Sequence, residues 1–158
     1  LIGVLVEGVP QAGVIYAPAL GEMVAAATGL GARLNGRECR VREVSDLNRA
    51  TFLTTDTRHV RERGFQEPYE KLLAQCGVHR TWGDAYGHML VATGRADFMF
   101  DPELEIWDAA ALLPIVTEAG GVFSDVKGEQ TIRSRNALSC TRAIHETVLE
   151  AFNGSPGR

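Results

Sequence analysis

Glu105-Ile106-Trp107-Asp108-Ala109-Ala110-Ala111-Leu112-Leu113-Pro114-Ile115-Val116-Thr117-Glu118-Ala119-Gly120-Gly121 is the stretch on which the reading of this chain turns. Its apolar run predicts a buried helix over 105–119, and the double glycine supplies a stop leading into a strand. Asp108 falls in the first helical turn. Free backbone N–H groups and the positive end of the helix dipole there keep a carboxylate ionised and attract oxyanions. A charged carboxylate beside an anion-attracting helix end points to a metal and a phosphate. The three alanines let the helix approach neighbouring backbone closely.

Downstream, residues 121–125 and 137–140 read as strands, 143–152 as a helix, and 153–158, rich in glycine and proline, as a flexible tail. Upstream, Ala96–Phe100 reads as a strand that follows a helix from Asp84, as cap, to about Thr93, stopped by Gly94. Arg80–Trp82 is a short strand. One helix is expected from Val60 to about Cys76 with Phe65, Tyr69, Leu72 and Leu73 on one face, preceded by a buried strand at Thr51–Thr55. Residues 1–44 differ in character: short apolar runs separated by glycine-containing turns, with Asn35-Gly36 as the hairpin signal. The fold class expected is therefore α/β, an α+β layered sandwich. An antiparallel β-meander over 1–44 precedes alternating strands and helices over 45–152.

The chain has 158 residues, 45% of them hydrophobic and 23% charged, with a formal net charge of −4, which fits one soluble globular domain. No apolar run reaches the roughly 20 residues of a membrane span, and the dispersed Lys and Arg form no stripe that would track a nucleic-acid backbone. Neither membrane nor nucleic acid is expected as a partner. The basic patch Arg58–Arg63 reads as a solvated helix face. Cys39, Cys76 and Cys140 are odd in number and lack a CxxC pair, so neither a disulfide framework nor a zinc site is indicated, and a reducing cytoplasm fits best. The apolar start lacks the basic n-region and cleavage pattern of a signal peptide. Gly29 and Gly31 do not have dinucleotide-loop spacing, and no P-loop or Gly-x-Ser-x-Gly elbow occurs.

Trp107-Asp108-x-Ala110-Ala111 followed by Glu118-Ala119-Gly120-Gly121 resembles the second signature of the inositol monophosphatase family, magnesium-dependent phosphomonoesterases. Trp82-Gly83-Asp84-Ala85-Tyr86-Gly87-His88 and Val91-Ala92-Thr93-Gly94-Arg95-Ala96-Asp97 look most like its histidinol-phosphatase branch. Gly29-x-Gly31-Ala32-x-x-Asn35-Gly36 extends the likeness over nearly the whole chain. The resemblance implies that Asp108 is a ligand of Mg²⁺. It further implies that Asp101, seven residues earlier, contacts a substrate hydroxyl or amine, and that Gly83, Asp84 and Ala85 contact substrate at another helix N-terminus. Asp101 replaces the Glu usual in inositol phosphatases, and Asp84 replaces a neutral hydroxyl residue; a carboxylate at 84 suits a cationic amine.

His88, one turn after Asp84, is expected to be held by it or to serve the core. Glu103 and Glu105 crowd further acids around Asp101 and Asp108, a repulsive patch that a cation would relieve.

The family's earlier Asp-Pro-x-Asp-Gly-Thr signature, which supplies most metal ligands and positions the attacking water, is absent from these residues. The resemblance therefore implies the C-terminal part of a phosphatase, residues 1–44 being a remnant of its first sheet. No catalytic residue is assigned. The family reaction is direct attack of a metal-activated water on a small phosphorylated metabolite, with histidinol phosphate the first substrate expected and inositol phosphate the second. The chain alone is expected to be inactive, and to form a homo-oligomer or to need a complementary N-terminal half. The competing expectation is a non-catalytic binding or assembly module that keeps the fold and self-associates.

Overall fold

The computed structural model describes residues 1–154. The meander is present as β1 (Ile2–Val6), β2 (Val9–Ala17), β3 (Glu22–Ala27), β4 (Ala32–Leu34) and β5 (Arg37–Glu38), an antiparallel sheet in that spatial order. Asn35 (φ 48°) and Gly36 (φ 81°) make the tight turn between β4 and β5. The Asn35 amide adds a brace, accepting from Met23 N–H and donating to the Gly21 carbonyl, each at 2.9 Å.

The second sheet comprises β6 (Thr51–Thr54), β7 (Val78–Thr81), β8 (Phe98–Asp101), β9 (Val122–Ser124) and β10 (Ala137–Cys140), in the order β7-β6-β8-β10-β9. β6 is parallel to both β7 and β8, whereas β10 is antiparallel to β8 and β9. The helices are α1 (Thr57–Glu62), α2 (Gln66–Gln75), α3 (Asp84–Ala92), α4 (Ile106–Glu118) and α5 (His145–Asn153). α3 and α4 lie between the two sheets. α1, α2 and α5 cover the far face of the second sheet, where Val60, Leu72 and Val148 pack on Phe52, Phe98, Phe100 and Leu138. Strand alternation sends Phe98 and Phe100 to that outer core and Met99 to the inner one, against Leu90 and Val91 of α3. The result is a four-layer β/α/β/α sandwich.

The alanines of α4 explain how the first sheet seats itself. A Cβ at Gly13 would stand 2.1 Å from the Ala111 carbonyl oxygen, and one at Gly3 would stand 2.8 Å from Ala110. Glycine on the strands and alanine on the helix permit this contact between backbones. At the other end of α4 the Glu118 carboxylate accepts from the N–H groups of Gly29 (2.9 Å) and Gly31 (2.8 Å), pinning the β3–β4 loop to the helix.

Several local expectations need correction. The single helix over 60–76 is two helices, because Gly64 takes φ +81° and reverses the chain after Arg63. The first begins at Thr57, capped by Asp56, whose side chain accepts from Arg58 N–H at 2.8 Å. Asp84 is not the cap of α3: Gly83 holds that position, and Asp84 is the first helical residue, in the left-handed region at φ 55°. Short polar residues tolerate that conformation best after glycine. The strand before Asp84 ends at Thr81, leaving Trp82 exposed, and β8 starts two residues later than expected so that Asp101 is its last residue. Asn153 belongs to α5 instead of the tail, its side-chain amide donating to the Val126 and Leu149 carbonyls. The remainder of the expected tail, 155–158, lies outside the described residues.

Candidate active-site groove

Three backbone termini converge on one side of the second sheet: the N-termini of α3 and α4 and the C-terminal end of β8. The parallel strands β7, β6 and β8 all deliver their carboxyl ends here, which is where open α/β sheets present ligand crevices. A cavity of about 310 Å³ is lined by Asp84, Ala85, His88, Asp101, Glu103 and Asp108, among others. A second lobe of about 330 Å³ adds Thr55, Asp56, His59 and Gly83, and shares Asp84, Asp101 and Glu103 with the first. Every residue proposed from sequence (Gly83, Asp84, Ala85, Asp101 and Asp108) therefore lines one two-lobed groove.

Their environments differ. Asp84 is exposed at the mouth, whereas Asp101 is only 6% exposed. One Asp101 oxygen, Oδ1, accepts from the Glu103 N–H at 3.2 Å and from the Thr55 hydroxyl at 3.4 Å. Asp108 is half-buried and does part of the work of a cap: its Oδ2 accepts from the Glu105 N–H at 3.0 Å. Asp108 thus closes the first turn of α4 and lines the groove at once.

Arginine cations relieve part of the acidic patch. Arg63 forms a two-pronged pair with Glu103, and Arg135 reaches Glu103 at 3.2 Å and Glu105 at 2.6 Å. These arginines come from the α1–α2 turn and from the segment before β10, and no local spacing connects them to the acids.

His88 is not held by Asp84. It is fully buried, with Nδ1 2.7 Å from Ser139 Oγ on β10 and Nε2 3.7 Å from Asp101 Oδ2. A second Ser–His contact, Ser124 Oγ to His145 Nε2 at 2.8 Å, lies in the outer layer. Ser124 donates its own proton to the Asp125 carbonyl, so His145 must donate to it, and the contact serves packing. Burial holds the His145 imidazole below its ordinary pKa.

As a metal centre the groove is incomplete. Among the described residues no three His, Cys, Asp or Glu side chains converge to hold an ion, and Asp108 brings one carboxylate where Mg²⁺ sites draw on several oxygens. A larger cavity, about 690 Å³, opens at the opposite end of α4 beside Ala119, Gly120, Arg40 and Arg142. It sits at the carbonyl end of that helix, where the dipole disfavours an anion. The groove, not this larger cavity, therefore collects the chemistry.

This four-layer sandwich belongs to a class of layered α/β folds whose solved members include inositol monophosphatases. The family model described as the inositol monophosphatase family matches residues 1–156, and the chain belongs to that family. It is 39% identical over 160 residues to a histidinol-phosphatase of Chlorobaculum parvum, covering 100% of this chain and 62% of that protein. It superposes on the suhB extragenic suppressor protein of Bartonella henselae with a TM-score of 0.88 at 29% identity, covering 97% of this chain and 60% of that one. A Thermotoga maritima IMPase gives 0.85 at 31% identity, covering 96% and 59%. The chain thus spans about 60% of the length of these three relatives. No helix among the described residues is long and apolar enough to cross a membrane.

Proposed function

We propose that this chain supplies the leaving-group side, and one metal carboxylate, of a magnesium-dependent phosphomonoesterase acting on a small phosphorylated metabolite. The observation that carries this reading is the convergence of Asp84, Ala85, Asp101 and Asp108, drawn from two helices and a strand, on one groove. The N-termini of α3 and α4 favour a phosphate between them. Asp101 offers its remaining lone pairs to a hydroxyl or ammonium group of the leaving alcohol, and Asp84 adds a second negative charge at the mouth. That pairing of carboxylates favours a cationic amine. The 39% identity to a protein described as a histidinol-phosphatase supports the same order of preference, histidinol phosphate before inositol phosphate.

Asp108 is proposed as one ligand of a Mg²⁺ ion whose other ligands these residues do not provide. No step of the reaction is derived through it. Mg²⁺ titration followed by thermal shift, wild type against Asp108→Asn, tests the assignment; an equal response of both proteins removes it. Assayed alone with Mg²⁺ and histidinol phosphate, the chain is expected to show no significant turnover, and robust phosphate release would refute that expectation.

A second reading, a non-catalytic assembly module, draws on one observation: the outward face of the first sheet is apolar and open, with Ile2, Val4 and Tyr16 each about half or more exposed. Its test is oligomeric state together with metal response. Tight self-association without any response to Mg²⁺ would favour the module over the enzyme.

A further inference from the structure

One polar atom of the groove is left without a role by everything above. His88 Nε2 is buried, lines the groove and has no hydrogen-bond partner among the described residues. A buried unpaired nitrogen costs on the order of 1–3 kcal/mol, so its persistence calls for a reason. Asp101 Oδ2, the carboxylate oxygen that neither Thr55 nor Glu103 occupies, lies 3.7 Å from it.

We propose that His88 is a positioning residue for Asp101, and through it a determinant of leaving-group specificity; the inference rests on the phosphatase reading. The Ser139 hydroxyl can donate to Nδ1 or accept from it, so contact with Ser139 alone leaves the tautomer open. Asp101 decides it. With Nδ1 protonated, the Nε2 lone pair would face a carboxylate oxygen in a buried setting. With Nε2 protonated, an N–H dipole faces that oxygen instead. Ser139 therefore donates to Nδ1, and Nε2–H points at Asp101 Oδ2. A short approach of His88 would then give the carboxylate donors on both oxygens: Glu103 N–H and Thr55 O–H already on Oδ1, His88 N–H on Oδ2. Its outward lone pairs are fixed toward the groove, where a hydroxyl or ammonium of the leaving group donates to them. When the ligand orders Asp101, the 3.7 Å gap closes to a hydrogen bond.

The order Ser139–His88–Asp101 resembles a nucleophilic triad in composition only. Ser139 is fully buried on β10 and does not line the groove, so no substrate phosphorus reaches it. The three side chains carry orientation from the sheet to the pocket.

The test uses the ¹⁵N-labelled 158-residue chain. Long-range ¹H–¹⁵N spectra, with His88 assigned through His88→Gln, are expected to show a protonated Nε2 and an unprotonated Nδ1, and Asp101→Asn is expected to move the Nε2 resonance. A protonated Nδ1, or a His88 signal indifferent to Asp101→Asn, overturns the proposal. Binding of L-histidinol phosphate is expected to weaken about tenfold in His88→Leu, the size of one hydrogen bond to a charged group. Most of that loss should return in His88→Gln, which restores an N–H donor, while inorganic phosphate binds equally to all three proteins. Parallel loss of both ligands would mean a folding defect and count against positioning. Failure of the wild-type chain to bind the ester would sink the phosphatase reading, and the tautomer measurement would still decide for or against His88.

Discussion

Gly13 shows how much one residue decides. Any side chain there drives a carbon into the Ala111 carbonyl, and neither backbone can yield without moving β2 off α4. Gly13→Ala is expected to cost about 3 kcal/mol through overpacking, measured by urea denaturation, whereas Gly36→Ala, with open space around it, should cost only the penalty of its left-handed φ. Glu118 is the second such position. Replacing it with Gln keeps the shape but removes the charge that accepts both loop N–H groups, and a loss of about 1 kcal/mol, or about 2–4 °C in Tm, is expected. In the sequence Glu118 is part of a motif; in the fold its carboxylate is the anchor of the Gly29–Gly31 loop, 87 residues away along the chain.

Between elements, the turn after α3 is tied to β3 by a two-pronged Arg95–Glu22 pair, both contacts at 2.8 Å. The guanidinium hydrogen bond holds the Glu22 carboxyl below its ordinary pKa. A lowered folded-state pKa means stability that is present above the ordinary carboxylate range and lost as pH falls through the folded value. Thermal melts from pH 7 to pH 3 should therefore show wild type losing on the order of 0.5–1 kcal/mol more than Glu22→Gln, a partly exposed pair being worth no more than that. Identical acid profiles would remove the pair from the account. The helices also show what periodicity captures. Tyr69 and Leu72 are buried as their spacing indicates, with Phe65 and Leu73 packed beside them, but the break at Gly64 depended on a backbone reversal that an apolar count does not register. Asp84 makes the same point: a short polar residue ahead of a helix reads as a cap, yet the cap fell one residue earlier because Gly83 takes the extended conformation.

Over the whole molecule, the two cores on either side of the second sheet differ in their consequences for reactivity. Cys140 sits in the outer core with its thiol pKa pushed well up by burial, and Cys76 is pushed up to about 12 by the same cause. Thiol labelling at pH 8 should therefore modify Cys140 only as fast as the chain unfolds globally, and denaturant should accelerate it in step with loss of ellipticity. Rapid labelling in native buffer would show that the outer core opens locally. The apolar outer face of the first sheet leads to a different expectation: self-association at micromolar concentration by sedimentation, with a clean monomer counting against it.

The family resemblance was needed to single out Asp101 and Gly83–Ala85, whereas the composition of α4, the alternation of the strands and the glycine turns were enough to establish a meander followed by an α/β layer, and to single out Asp108. Those are local properties, set by periods of 2 and 3.6 residues and by the electrostatics of a helix end, so they survive without coordinates. The neighbours of those residues were decided only by the tertiary structure: Arg63 and Arg135 on the acids, Ser139 behind His88, and Asp101 instead of Asp84 in front of it. Each of those contacts joins elements from 13 to 51 residues apart, with Ser139 reaching His88 across 51 of them. The sheet order that brings β10 beside β8 creates them, and that order is fixed by how whole layers bury their apolar faces, not by any spacing along the chain.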